Sequence, residues 1–339
     1  MAKYQIETIE NGGLKLEVCN LGGTIMKLLT PDAKGTLADV VLGYSTPSDY
    51  IKNDGYFGAL IGRYCNRIGG AKCVIDGKKY KLDANDGANT LHGGKNSFES
   101  ALWDMRLCEG DGWKGANLHY ICPDMLNGFP GNLEVSVFYK LTDNAELVLE
   151  YFATTDKPTV CALTNHTYFD LSAGVSGDIL DHYIKINSDF FTPPNNKLIP
   201  TGEILEVKGT PLDLRKFKKI RDGVEAESKL IVEANGGFDH NFVLKNSDGG
   251  MVQAAVVHDP VSGRSMEVLT NEPGVQFYTG NFITKRKGKD GRIYNRHSGF
   301  CLETQHWPDS PNQPHFPSTV LYPGETYYSS TIYRFGALR

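Results

Sequence analysis

Alternation of apolar and polar residues with a period of two is the feature that most restricts this chain. Leu14-Lys15-Leu16-Glu17-Val18 and Leu133-Glu134-Val135-Ser136-Val137 both alternate cleanly. Successive side chains on a strand point to opposite faces, so such segments bury one face and wet the other. Turn residues separate them. Asp76-Gly77 lies inside Val74–Tyr80 and suits the positive φ values of a type I′ hairpin. Asp143-Asn144, Ser247-Asp248-Gly249-Gly250 and Ser262-Gly263 mark further hairpins. Helical periodicity is weak, with 224–234 the best short candidate. Many short strands punctuated by turns predict an all-β fold, a large antiparallel β-sandwich with few short helices. No linker or repeat divides the 339 residues, so positions 1–339 read as one domain.

Charge and cysteine usage exclude several classes. Lys and Arg total 35 against 40 Asp and Glu, a net charge of −5, which is no footprint for nucleic acid. No apolar run is long enough for a membrane span, and the start of the chain does not read as a secretory signal. The seven cysteines have no disulfide or zinc spacing and read as reduced, mostly buried thiols of a cytoplasmic protein. Dinucleotide and phosphate-loop glycine patterns, HExxH and GxSxG are all missing. The basic run Lys285-Arg286-Lys287-Gly288-Lys289 reads as a solvated hairpin loop. An enzyme of this sequence works by side-chain acid–base chemistry, with no metal and no cofactor.

Three segments are unusual as structure. Gly62-Arg63-Tyr64-Cys65-Asn66-Arg67-Ile68 sets two Arg and an Asn among apolar residues. Asn165-His166-Thr167-Tyr168-Phe169 sets an imidazole in an aromatic run, and Leu302-Glu303-Thr304-Gln305 sets a carboxylate in a strand-like one. Taken singly, His166 fits a satisfied core histidine and Glu303 an outward strand position. Leu91-His92-Gly93-Gly94 and Gly237-Phe238-Asp239-His240 fit turns. Together they describe a cavity with a base, an imidazole acid and an Arg. Tyr168, Phe277, Tyr278 and Trp307 would then be aromatic walls for a small neutral ligand.

These motifs, with Val275-Gln276-Phe277-Tyr278 and Pro323-Gly324-Glu325, run in order through nearly the whole chain and resemble the aldose 1-epimerase (galactose mutarotase) family. The resemblance implies a large β-sandwich, no cofactor, and a cytoplasmic enzyme acting on hexoses such as galactose and glucose, as a monomer or weak dimer. It implies Glu303 as catalytic base and His166 as catalytic acid. Asn66, Arg67, His92, Tyr168, Asp239 and Gln276 would contact or support the sugar. Such a reaction needs a base for the C1 hydroxyl and an acid for the ring oxygen, expected on opposite sides of the pyranose. A nearby carboxylate is expected to keep His166 protonated against the effect of burial once sugar excludes water. Two departures from the family pattern are Cys65, a packing change, and Asp170, expected on the same strand face as His166. The alternatives are a non-catalytic carbohydrate-binding sandwich, a glycoside hydrolase using Glu303 and Asp239, and a phosphosugar mutarotase.

Overall fold

The computed structural model describes residues 4–52, 55–246 and 249–337. The alternating segments become antiparallel sheets. Among the described residues, nine strands form one sheet in the spatial order Asp104–Gly110, Trp113–Cys122, Leu133–Thr142, Glu146–Thr155, Tyr327–Ala337, Arg264–Thr270, Val252–His258, Tyr183–Ile186 and Lys218–Lys219. The last long strand of the chain thus pairs with Glu146–Thr155 on one side and Arg264–Thr270 on the other. A four-stranded sheet spans Ile6–Asn11 to Leu37–Asp39. A five-stranded sheet orders Leu205–Glu206, Phe190–Thr192, Asp239–Val243, Gly274–Tyr278 and Cys301–Gln305.

One buried cluster draws on all three sheets, from Leu16, Val18 and Leu28 through Val135, Val137 and Leu149 to Phe242, Phe277 and Leu302. This is the large antiparallel sandwich that the alternation predicts. The hairpin at Asp76-Gly77 forms, with φ of 50° and 76° and Ile75 paired to Lys78. Those at 143–144 and Ser262-Gly263 also join paired strands. The expected hairpin near 247–250 does not form. Ser247 and Asp248 lie outside the described residues, but Asp239–Val243 pairs within the five-stranded sheet and Val252–His258 within the nine-stranded one. That connection crosses between layers. The helix expected at 224–234 is two five-residue helices, Ile220–Val224 and Lys229–Glu233. Ser228 divides them, its side chain accepting from the Leu230 amide at 3.3 Å as an N-cap. Among the described residues no helix is long and apolar enough to cross a membrane.

All seven thiols are free, and six are buried. Cys65 is fully buried in a smaller apolar cluster with Ile61, Ile68 and Ala162, as a packing residue would be. The two unusual arginines separate in role. Arg63 is 1% exposed and donates to carbonyls, with Nη1 to Pro130 and Gly131 (both 2.7 Å) and Nη2 to Cys122 (3.1 Å) and Pro123 (3.0 Å). It pins the turn 123–131 to the strand region that leads into the pocket. Hydrogen bonds to a charged group are worth roughly 1.5–3 kcal/mol each, and deleting the donor leaves buried acceptors unmet. Arg63→Met is therefore expected to lower the unfolding free energy by at least about 3 kcal/mol, measured by urea denaturation.

Candidate active site

The five-stranded sheet has two unlike faces. His240, Phe242, Val275, Phe277 and Leu302 point into the core. The register aligns Asp239 with Tyr278 and Cys301, and Asn241 with Gln276 and Glu303. Because side chains alternate, these residues all stand on the opposite face. There Asp239, Tyr278 and Glu303 floor a cavity of about 530 Å³. Its lining includes Tyr56, Asn66, Arg67, His92, His166, Tyr168, Asp239, Tyr278 and Glu303.

Each wall is delivered by a local device. The short strand Thr164–Asn165 pairs with Leu60–Ile61. Asn165 then fastens the turn after it. Its Nδ2 donates to the Gly58 carbonyl (3.0 Å) and Tyr139 hydroxyl (3.2 Å), while its Oδ1 accepts from the Thr167 amide (3.0 Å). His166 is thereby turned into the pocket, with its own amide bonded to the Ala59 carbonyl at 2.9 Å. Arg67–Ile68 pairs with Thr90–Leu91, which sets Asn66 beside His92. Both adopt left-handed backbone, φ 58° and 51°, a conformation that concentrates at functional sites when non-glycine residues hold it. The Asn66 amide donates to His92 Nδ1 at 3.2 Å. That bond places the remaining proton of neutral His92 on Nε2, making His92 a donor toward the cavity.

At the centre, His166 Nε2 lies 3.7 Å from Glu303 Oε1. Glu303 is 2% exposed, and its other oxygen has no protein partner. Burial, then the charge of Asp239, pushes the Glu303 carboxyl well above the usual range, with Arg67 opposing. Burial pushes His166 down to about 4. Without sugar, desolvation of the imidazolium dominates at His166, and the carboxylate expected to win once sugar excludes water does not outweigh it. The same forces hold both members of the pair toward their neutral forms. Burial also raises Asp239 against Arg67 and against the Gln276 amide, which donates to it at 2.6 Å. Arg67 reaches Asp86 at 2.9 Å and Asp239 at 4.0 Å.

Base and acid were expected on opposite sides of a ring. They stand 3.7 Å apart, Glu303 on the floor and His166 on the adjoining wall. The chemistry allows this, since the hydroxyl and the ring oxygen of a hemiacetal are bonded to one carbon. Asp170 does not share a face with His166, because the strand ends at Asn165. Asp170 instead accepts from the Ser172 and Gly174 amides (3.0 and 2.7 Å) and lies 3.5 Å from His182. Of the four aromatics, Tyr168 and Tyr278 line the cavity. Phe277 belongs to the core, and Trp307 packs on Phe316 away from the lining. Gln276 stands behind Asp239 as its support. The basic run does form a hairpin, but not a wholly solvated one. Lys289 is buried, bonded to Asp39 (2.7 Å) and the Val41 carbonyl (2.8 Å), and Arg286 reaches the cavity wall.

Tyr56, Asp86 and Leu198 also line the cavity without having been singled out from the sequence, and Arg286 lines it although its run reads there as a solvated loop. Only the turn at 193–196, rich in Pro and Asn, gave a signal for Leu198. Donor atoms of His92, His166 and Glu303 lie within 4.8 Å of one another, close enough for a divalent ion. The Asn66 bond argues against one. A metal on His92 Nε2 would need the proton on Nδ1, where the imidazole already accepts.

Residues 5–334 match the sequence model of the family described as Aldose 1-epimerase. Galactose mutarotase of Bos taurus is 45% identical over 334 residues, covering 98% of this chain and 93% of the relative. Galactose mutarotase of Homo sapiens is 44% identical over 323 residues, covering 95% and 91%. Aldose 1-epimerase of Escherichia coli (strain K12) is 33% identical over 335 residues, covering 98% and 95%. Among solved structures, an aldose epimerase homologue from C. elegans superposes with a TM-score of 0.90 at 28% identity, covering 99% and 100%. Galactose 1-epimerase from Lactobacillus acidophilus NCFM gives 0.85 at 26%, covering 99% of each chain.

Arg67 opposes the upward push on Glu303. Arg67→Met is expected to move the Glu303 titration to higher pH, followed by the carboxyl ¹³C shift of labelled protein. An unmoved or lowered midpoint would break the assigned electrostatics.

Proposed function

This chain belongs to the aldose 1-epimerase family, and on that premise we propose that Glu303 and His166 are the base and acid with which it interconverts the α and β anomers of hexoses such as galactose and glucose. It is an isomerase of the aldose 1-epimerase class. The observation that carries the residue roles is the 3.7 Å approach of His166 to Glu303 in the lining of the cavity.

Ring opening removes a proton from the C1 hydroxyl and adds one to the ring oxygen. Glu303 takes the first and His166 Nε2 gives the second. The aldehyde rotates about C1–C2, and the ring closes on its other face with the two roles exchanged. A positioned acid or base contributes typically 10²–10⁴-fold. His92, with its Nε2 proton facing the cavity, and Arg67 stabilise negative charge on substrate oxygens. Asp239, oriented by Gln276, and Asn66 accept from or donate to ring hydroxyls. Tyr168 offers an apolar wall.

The pocket's electrostatics have a consequence for this cycle. The pair rests as carboxylic acid plus neutral imidazole, and for ring opening Glu303 first passes its proton to His166 Nε2, giving carboxylate plus imidazolium. Afterwards it is carboxylic acid plus neutral imidazole. Burial favours the second state, so the site favours the protonation that accompanies the open aldehyde. Both states carry one proton, so pH does not select between them. It selects the range in which the pair holds a single proton.

The sign follows. Below about 4 His166 gains a second proton for the pair. At high pH the pair loses its only proton, from Glu303. The profile of kcat/KM is therefore expected to be a bell whose acid limb belongs to His166 and whose alkaline limb belongs to Glu303. By polarimetry of fresh α-galactose, Glu303→Gln and His166→Asn should each lose ~10²-fold or more of the rate with the fold intact. The residual activity of His166→Asn should lack the acid limb. A folded variant that kept more than about a tenth of the rate would overturn that residue's role.

A further inference from the structure

Cys301 stands two residues before Glu303 on the same strand, so the period of two places both side chains on the cavity face. Its Sγ lies 3.5 Å from His166 Nδ1. Both residues are buried. The imidazole ring has little freedom to leave this contact. Tyr168, His92 and Tyr56 rings pack around it with centroids 5.0, 5.2 and 5.8 Å away. The His166 carbonyl also accepts from the Gly58 amide at 3.0 Å.

We propose that Cys301 is a positioning residue for His166, its sulfur accepting the Nδ1 proton so that only Nε2 gains and loses a proton during turnover. This deepens the reading of His166 as the acid and rests on it. An imidazolium that gives its Nε2 proton to the ring oxygen is left with its proton on Nδ1. That tautomer needs an acceptor at Nδ1, and sulfur is the group placed there. Its bare Nε2 then faces the Glu303 carboxyl that has just been protonated. Protons therefore move only between the substrate and this pair, with no other protein group exchanging one.

The identity of the acceptor matters as well as its position. A carboxylate at Nδ1 would stabilise the imidazolium and make it a reluctant donor. Sulfur is a weak acceptor, and burial beside Glu303 and Asp239 keeps the Cys301 thiol protonated and uncharged. It therefore orients the ring while leaving the imidazolium acidic, which is what protonating a ring oxygen requires.

The test combines ¹⁵N NMR of the imidazole with steady-state polarimetry in wild type, Cys301→Ser and Cys301→Val. Wild type is expected to show the neutral ring protonated on Nδ1. Cys301→Val fills the space without an acceptor. It should show mixed tautomers and about a tenfold lower kcat, with KM within about twofold. Cys301→Ser supplies a stronger acceptor. It should keep the tautomer and most of kcat, and shift the acid limb to higher pH. A wild-type ring protonated on Nε2 would overturn the proposal, as would a valine variant that keeps both tautomer and kcat. Full turnover in His166→Asn would instead overturn the acid assignment, whatever the tautomer. Loss of turnover there with unmoved Cys301 variants would sink only the role of sulfur.

Discussion

Desolvation of one carboxyl beside one imidazole governs this site. Glu303 and His166 are both buried, and each is pushed toward its uncharged form. Charging the pair costs free energy that Arg67 only partly offsets. Two proton transfers, one from the C1 hydroxyl to Glu303 and one from His166 to the ring oxygen, leave the pair uncharged at the moment the sugar ring is open. The environment is thus matched to the intermediate and not to the closed sugar, which is the sense in which binding favours reaction.

The rest of the molecule supports that arrangement by keeping two kinds of surface apart. Phe242, Phe277 and Leu302 anchor the five-stranded sheet in the shared core, while the alternate residues Asp239, Tyr278 and Glu303 face the cavity. A slip of one residue in any of these strands would exchange the two sets. The polar walls come from segments far apart in the chain and held by short pairings, Arg67–Ile68 with Thr90–Leu91 and Thr164–Asn165 with Leu60–Ile61. The hairpin at Arg286–Tyr294 is tied back by Lys289 to Asp39 of the N-terminal sheet. Function here depends on joining parts that sequence distance separates.

Fold class was legible because alternation and turn chemistry are local. Asp76-Gly77 could be read as a hairpin from two residues. The crossing near 247–250 could not, since the strands on either side choose partners in different sheets. His166, Glu303, His92 and Asp239 stood out as polar residues in apolar or glycine-bounded runs, and the structure brings them to one cavity. Arg63 and Arg67 looked alike in sequence. Only tertiary contacts distinguish a guanidinium spent on four backbone carbonyls from one that faces the pocket. Asp170 leaves the face its spacing from His166 suggests because the strand ends at Asn165. Tyr56 and Asp86 carried no local sign of their position, as their neighbours in the sequence are ordinary loop residues.

The account turns on where the shared proton sits once a sugar has displaced water from the cavity. 1,5-Anhydrogalactitol has no C1 hydroxyl to deprotonate, so it fills the pocket without reacting. Infrared difference spectra of its complex, wild type minus Glu303→Gln, read the carboxyl directly. A protonated carboxyl C=O band that disappears in the variant is the predicted result. Carboxylate bands alone, with an imidazolium at His166, would contradict it.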